Sequence, residues 1–275
     1  MKVVTSVPLI YDWTRNLMDD TADSAFFLNL IIKNGLTYHT SISGSTEENL
    51  IESAALLIYT GGPSEEWIDQ HVQKTASAHP DRIVLRLLDY IENSDGSAID
   101  EHALLSPDQA LICCQKISQA LCRLDPQNQA SYDARASKYL ELLSILDDTY
   151  KVQALKTKDK SFIICDRMPF KALFEEYGFN YLALYDYCPM TQKTPEDSQK
   201  IKELGSKIDE IKADQVYVFE DSDKKLAKQV IASSKNPKCD TLVLDSMEST
   251  TLSQLFSGKN YLDIMRNNLT LLRPN

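Results

Sequence analysis

The hydrophobic pattern of the chain consists of short apolar runs separated by longer amphipathic segments. The runs are four to six residues long and almost continuously apolar, which is typical of parallel strands buried on both faces. The pattern predicts strands at residues 2–7, 55–60, 82–87, 161–165, 181–185, 215–219 and 241–244.

The segments between these runs carry apolar residues at helical spacing. One helix start is well marked in the sequence. Ser106 is a candidate N-cap, Pro107 suits the first helical position, and Gln109 stands three residues after the cap, where a capping box has Glu or Gln. Alternating strands and helices predict an α/β fold with parallel sheets. The predicted helices include residues 12–32, 65–78, 196–211, 222–233 and 261–272.

Residues 126–155 break this alternation, because they contain no strand signal and no glycine. They predict a single helix of about 30 residues, roughly 45 Å long. We therefore expect two α/β lobes, each with a small, mostly parallel sheet flanked by helices, joined by one long rigid helix. The predicted boundaries are 1–125 for the N-terminal lobe, 126–156 for the linking helix and 157–275 for the C-terminal lobe. The spacing places six residues on one stripe of this helix: Tyr132, Ala136, Tyr139, Leu143, Leu146 and Tyr150.

The composition argues against two classes of function. Lys and Arg number 29 against 40 Asp and Glu, a formal net charge of −11, whereas a nucleic-acid binder needs a basic surface. Only 8 of the 275 residues are glycine, and phosphate-binding loops need glycine so that backbone N–H groups can approach the anion. Nucleic acid is therefore not an expected partner, and a nucleotide-dependent enzyme is disfavoured.

The start of the chain leaves two locations open. Residues 1–8 lack the apolar core and cleavage site of a signal peptide, and no apolar run approaches the roughly 18 residues of a membrane-spanning helix. The protein is then either cytosolic or exported, with its leader missing from this sequence.

The six cysteines include no CxxC pair. Cys113 and Cys114 are adjacent in an apolar helical stretch, and together with Cys122 they are expected to be buried small hydrophobic residues. Cys165 ends a predicted strand and Cys188 falls in a loop, so either could lie near a site.

Ligand sites of open parallel sheets form at the carboxyl ends of the strands. His39 and His102 stand in such positions or just before a helix, whereas His71 and His79 are expected to be solvated. Imidazole and carboxylate are ligands for a divalent transition metal. Asp221 is also interpretable as a helix N-cap, and Glu220 fits either role. The acidic and basic residues that follow predicted strands are Asp166, Arg167, Glu220, Asp221 and Asp245.

Other chemistries have no motif in the chain. The sequence contains no GxSxG, GxxxxGK[ST], GxGxxG or HExxH. Gly61, Gly62 and Pro63 predict a turn followed by a helix start. A metal site is therefore the strongest candidate.

Taken together, several segments resemble the metal-binding lipoproteins and periplasmic proteins that deliver zinc or manganese to ABC transporters. The resemblance covers nearly the whole chain. It implies two similar α/β lobes bridged by a rigid helix, with a metal held in the cleft between them. The segments are 3–12, similar to the opening strand and helix of the family; 54–62, similar to its Y-NGG segment; 100–107, similar to its DPHVWLDP motif; 124–128, similar to its LDPEN; and 244–247, similar to its strand-end aspartate.

The resemblance also implies a ligand set. The family uses two histidines, a third His or Glu, and a final Asp. By register against residues 59–62, His39 matches the first ligand. His102 matches the second through its motif, and Asp245 matches the last.

The third ligand position departs from the family, which has HDAF or EGAF before a YG pair. Counting back from residues 177–178 places Arg167 there, and a guanidinium cannot bind a metal. Asp166, one residue earlier, is expected to replace it; a branch of the family in gut-type Gram-positive bacteria has a similar DRFPF run. Arg167 would then pair with Asp166 or Glu220 and orient them.

Two weaker metal-ligand candidates remain, Glu220 and Cys188, although an inert thiol is the default interpretation of Cys188. Residues 89–101 contain no histidine-rich loop of the kind found in zinc-delivering members. The cargo is therefore expected to be Zn²⁺ or Mn²⁺, with raw affinity favouring Zn²⁺.

The resemblance predicts an extracytoplasmic solute-binding protein, either a membrane-anchored lipoprotein or periplasmic. It would bind a divalent metal as a monomer, pass it to a membrane ABC permease and catalyse no reaction. Two alternatives stay open. One is a metal-dependent hydrolase on the same scaffold, with Glu220 as the best general base. The other is an adhesin with a decayed metal site.

Overall fold

The computed structural model describes residues 1–18, 26–32, 44–91, 100–157, 160–186 and 198–272. The chain forms two compact units. Unit 1 comprises Met1–Leu146 and Met247–Asp263, and unit 2 comprises Asp147–Ser246 and Ile264–Asn275. Each unit is built around its own four-stranded parallel sheet, so the α/β prediction is confirmed.

The sheet of unit 1 has the strand order β2-β1-β3-β4. Every strand of it has four residues, and β3 is buried along its whole length, as expected for a parallel strand covered on both faces. The strands are β1 (Lys2–Thr5), β2 (Phe27–Leu30), β3 (Leu56–Tyr59) and β4 (Ile83–Arg86); the helices of this part are α1 (Pro8–Leu17), α2 (Ser45–Glu52), α3 (Glu66–Thr75) and α4 (Pro107–Leu124).

The long helix α5 spans Gln129–Thr157 and follows a 3₁₀ turn at Pro126–Asn128. All six side chains of the predicted stripe are buried. Tyr132 donates its hydroxyl to Asp125 in unit 1 at 2.9 Å, and Tyr150 donates to the Met265 carbonyl in unit 2 at 2.9 Å. The helix therefore contributes core residues to both units, and its prediction is confirmed.

Unit 2 repeats the architecture with the strand order β6-β5-β7-β8. Its strands are β5 (Ser161–Ile164), β6 (Asn180–Ala183), β7 (Gln215–Phe219) and β8 (Asp240–Leu244). Three helices lie between them: α6 (Lys171–Tyr177), α7 (Ser198–Ile211) and α8 (Lys225–Ser233). After β8 the chain forms α9 (Leu252–Phe256) in unit 1 and then α10 (Tyr261–Leu271).

One predicted helix is wrong. Residues 12–32 were expected to be a single helix, but α1 ends at Leu17 and Phe27–Leu30 form strand β2, paired with β1. A short apolar run fits a buried strand as well as a buried helix turn, and periodicity alone does not separate them. Pairing with the open edge of β1 decides the outcome here.

The predicted capping box of α4 is also wrong. Ser106 occupies the N-cap position and Pro107 begins the helix, but the Ser106 side chain makes no capping hydrogen bond. Gln109 donates instead to Asp108 at 3.0 Å. A true capping box lies at α9, where Thr251 and Gln254 bond reciprocally.

The two units divide the chain differently from the boundaries predicted at 125 and 156. The division falls inside α5, and residues 247–263 return to unit 1. Tyr261 explains this return, because its N–H donates to Asp12 at 2.9 Å and its hydroxyl donates to the Leu105 carbonyl at 3.0 Å.

Within the described ranges, none of the helices combines the length and the apolar composition required to cross a bilayer.

A substitution of Asp12 tests the contact that joins residues 247–263 to the rest of unit 1. Its carboxylate is fully buried and accepts hydrogen bonds from Tyr261 N–H and from Arg15 Nη2 at 3.0 Å. Asp12→Ala leaves both donors without this acceptor, so we expect a loss of about 2–4 kcal/mol in the free energy of unfolding, measured by urea denaturation. The exposed Asp81 serves as a control, and Asp81→Ala should change stability by less than about 0.5 kcal/mol. Equal effects of the two substitutions would contradict this role of Asp12.

Candidate metal site

In unit 2, polar side chains follow β5, β7 and β8, which are neighbours in the sheet. Asp166 follows β5. Its Oδ1 accepts the Arg167 N–H at 2.8 Å and its Oδ2 accepts the Phe219 N–H at 3.2 Å. Burial raises the pKa of the Asp166 carboxyl despite these two bonds. Asp166 therefore joins the ends of β5 and β7 whether or not it also binds an ion.

The structure gives Arg167 a further partner beside the predicted ones. Its Nη1 lies 2.6 Å from Asp221 Oδ1, and its positive charge also acts on Asp166, where it lowers the pKa of the carboxyl against the effect of burial. Asp221 does not cap α8, because the N-cap residue of that helix is Lys224, in the left-handed region. Asp221 therefore forms an ion pair with Arg167, and the interpretation of Asp221 as a helix N-cap is wrong.

Glu220 and Asp245 are held by backbone contacts. Glu220 accepts the Ser246 N–H at 2.8 Å and the Ser246 hydroxyl at 3.0 and 3.2 Å. Both oxygens of Glu220 therefore accept hydrogen bonds from Ser246 at the end of β8. The backbone of Asp245 exchanges two hydrogen bonds with the Asn268 side chain, at 3.0 and 2.8 Å, and its partly exposed side chain follows the strand.

In unit 1, His102 lies on a 3₁₀ turn, Glu101–Leu105, directly before α4. Asp100 Oδ1 is 2.6 Å from His102 Nδ1 and also accepts the His102 N–H at 3.0 Å. On the other side of the ring, Nε2 lies 3.0 Å from Glu248 Oε1. The side chains of His102 and Glu248 are only 4% and 2% exposed. The imidazole is thus fixed between two carboxylates.

Glu248 is the functional candidate that the sequence reasoning missed. It stands three residues after Asp245, beyond the end of strand β8. The chain turns at Met247, which has a positive φ of 64°, and the turn brings residues 247–263 into unit 1 with His102. The sequence does show a second acidic residue, Glu248, after β8, but no sequence pattern indicates that its side chain would lie beside His102.

Glu65 is a second buried carboxylate of unit 1. It is 2% exposed and accepts the Gly61 N–H at 2.9 Å. Burial raises the pKa of Glu65 to about 7, and the negative charge of nearby Glu101 acts in the same direction.

The structure describes some of the remaining candidate residues but not others. His39 and Cys188 lie outside the described residues. Cys165 is buried in the apolar core of unit 2, and burial raises the pKa of its thiol far above the usual value, so its surroundings favour an inert thiol. His71 was expected to be solvated, which is wrong, because its side chain is largely buried and lies 3.3 Å from Glu52.

Cys113 and Cys114 are buried, as predicted, whereas Cys122 is partly exposed. Among the residues that the structure places, no three His, Cys, Asp or Glu side chains are grouped closely enough to hold a metal ion. The described residues therefore place His102 between two carboxylates in unit 1 and a set of strand-end carboxylates in unit 2.

Comparison with known proteins identifies a family. The profile of the zinc-uptake complex component A (ZnuA) periplasmic family matches residues 3–274. The zinc-binding lipoprotein AdcA of Streptococcus pneumoniae serotype 4 is 25% identical over 287 residues, which cover 99% of this chain and 55% of AdcA. The high-affinity zinc uptake system protein ZnuA of Bacillus subtilis is 25% identical, with 99% and 86% covered. The chain thus spans about half the length of AdcA and most of ZnuA.

Solved structures show the same fold. The metal-dependent lipoprotein YcdH of Bacillus subtilis superposes with a TM-score of 0.82 at 23% identity, covering 99% of this chain and 97% of that one. The Zn(II)-bound ZnuA-like domain of Streptococcus pneumoniae AdcA gives 0.80 at 22% identity, with the same coverage.

The buried Glu65 predicts a pH dependence of stability. Its pKa is about 7 in the folded protein, against an ordinary value of 4.5, so the folded state binds this proton more tightly. Stability should therefore fall as pH rises from 4.5 to 7. Relative to Glu65→Gln, the wild type should lose about 3 kcal/mol over this range, measured by urea denaturation. Parallel stability profiles of the two proteins would contradict the prediction.

Proposed function

Because the chain belongs to the zinc-uptake complex component A family of periplasmic proteins, we propose that it captures Zn²⁺ outside the cytoplasm and delivers the ion to a membrane ABC permease. Relatives named for zinc binding and zinc uptake support this assignment. In this proposal the protein is a monomeric carrier, either lipid-anchored or periplasmic. In this role the protein transports the ion and catalyses no reaction.

The observation that carries the proposal is the contact between His102 and Glu248. Two ligands of one tetrahedral zinc ion are about 3.3 Å apart when each lies about 2.05 Å from the metal. His102 Nε2 and Glu248 Oε1 are 3.0 Å apart and buried. Asp100 holds Nδ1, which is the usual arrangement behind a metal-binding histidine, where a carboxylate fixes the ring orientation.

The full ligand set of the proposal combines this pair with the residues implied by the family resemblance. His39 supplies a second imidazole, and Asp166 supplies the oxygen that replaces the third ligand of the family. At the last position the contact with His102 favours Glu248 over Asp245, which stays in the set as the competing candidate.

The proposed binding step follows from the protonation of the ligands. A histidine binds a metal only through a neutral imidazole nitrogen, so affinity should fall at pH values below the ordinary imidazole pKa near 6.5. The net charge of −11 raises the local concentration of cations. Zn²⁺ is the proposed cargo, because its relative affinity at such N/O sites exceeds that of Mn²⁺.

Zinc titration of purified protein tests the assignment. Wild type should bind Zn²⁺ more tightly than Mn²⁺. His102→Ala should reduce zinc affinity by about 100-fold or more, because it removes a ligand. Calorimetry in competition with a chelator measures both. His79→Ala is the matched control, since His79 belongs to no proposed ligand set, and it should bind like the wild type.

Glu248→Gln and Asp245→Asn, measured in the same titration, decide the last ligand. We expect the large loss of affinity for Glu248→Gln, and the reverse order would restore Asp245. Wild-type protein that binds neither metal would overturn the carrier proposal and favour the adhesin alternative. Zinc-dependent ester or peptide hydrolysis would favour the hydrolase.

A further inference from the structure

A turn after β3 contacts the segment that carries His102. Ser64 donates twice to Glu101: its hydroxyl lies 2.6 Å from Oε1 and its N–H lies 3.1 Å from Oε2. Both residues are buried. Hydrogen bonds to an ionised carboxylate are shorter and about twice as strong as neutral ones, so this double contact is a strong polar link between the two segments.

The glycines of the turn make this approach possible. A side chain at Gly62 would overlap both Oε2 and Cβ of Glu101. Gly61 has a φ of +91°, which favours glycine, and its N–H donates to Glu65 at 2.9 Å. The turn therefore lies directly against the Glu101 side chain because residue 62 has no Cβ.

Glu101 directly precedes His102 in the chain, and hydrogen bonds hold both residues in place. Asp100 binds the imidazole and the backbone of His102, while Ser64 binds Glu101. In the DPHVWLDP motif that this segment resembles, a proline stands at the position of Glu101. Proline restricts the backbone by its ring; here a buried carboxylate bonded to a neighbouring turn restrains the same position.

We propose that Ser64 and Glu101 form a clasp that positions His102 for metal binding. This inference rests on the proposed function. In this proposal Glu101 is a positioning residue that accepts two hydrogen bonds from Ser64, and it is not counted among the metal ligands. Its effect passes through the backbone of the 3₁₀ turn to the imidazole, so the clasp sets the direction of Nε2 toward Glu248.

Ser64→Ala and Glu101→Gln test the clasp. Substitutions behind a metal ligand typically reduce metal affinity by about 10- to 100-fold, and we expect this loss of Zn²⁺ affinity in chelator competition. Ser77→Ala and Glu66→Gln are matched controls at exposed positions and should bind like the wild type. Thermal unfolding checks that each variant is folded; Ser64→Ala, which keeps Glu101, carries the test if Glu101→Gln fails to fold.

Two spectroscopic measurements separate positioning from general stability. The visible absorption of bound Co²⁺ should change in Ser64→Ala, because it reports ligand geometry. In metal-free protein, the nitrogen resonances of the His102 ring should also shift. The metal-free measurement does not depend on transport, so wild type that binds no metal overturns the proposed function and leaves the clasp testable. Wild-type zinc affinity in both variants, or weaker binding with unchanged Co²⁺ spectrum and ring resonances, would overturn the clasp.

Discussion

The structure depends on how it accommodates carboxylates that are buried at the ends of parallel strands and in the adjoining turns. An ionised carboxylate loses its hydration on burial, and the cost is offset only when donors surround it. Asp12 is bound by Tyr261 and Arg15, and Glu101 is bound by Ser64. Asp166 is bound by two backbone N–H groups. In each case the acid also ties two segments together that are distant in sequence, so the same contacts that offset burial define the tertiary structure.

Unit 1 and unit 2 use this constraint differently. In unit 2 two of the strand-end acids, Asp166 and Glu220, accept hydrogen bonds from backbone N–H groups. In unit 1 the imidazole of His102 lies between Asp100 and Glu248, so one acid orients the ring and the other faces its second nitrogen. A cation added beside Nε2 would relieve the electrostatic cost of the buried Glu248, which is a physical reason for metal binding at this place.

Most of the fold was predictable because its signals are local. The apolar run at 215–219 matches β7 from end to end, and the residues predicted to share one stripe lie on α5, where all six are buried. β2 was missed because a four-residue apolar run is decided by its pairing partner, which is remote in the sequence. The candidate site shows the same difference. The strand-end rule proposed Asp166 and Asp245 as candidates, whereas the position of Glu248 depends on a left-handed turn at Met247 that no local sequence pattern predicts.

The return of residues 247–263 to unit 1 has a consequence for how the chain is made. Asp12 and Tyr261 are 249 residues apart in sequence, and the first unit needs both. Synthesis is vectorial, so unit 1 lacks Tyr261 until residues 147–246 of unit 2 have been made, and unit 2 in turn needs residues 264–275. Closing so long a loop carries an entropic cost and slows folding. Although residues 1–146 are synthesised first, unit 1 is therefore expected to complete its fold only after most of unit 2 has been synthesised.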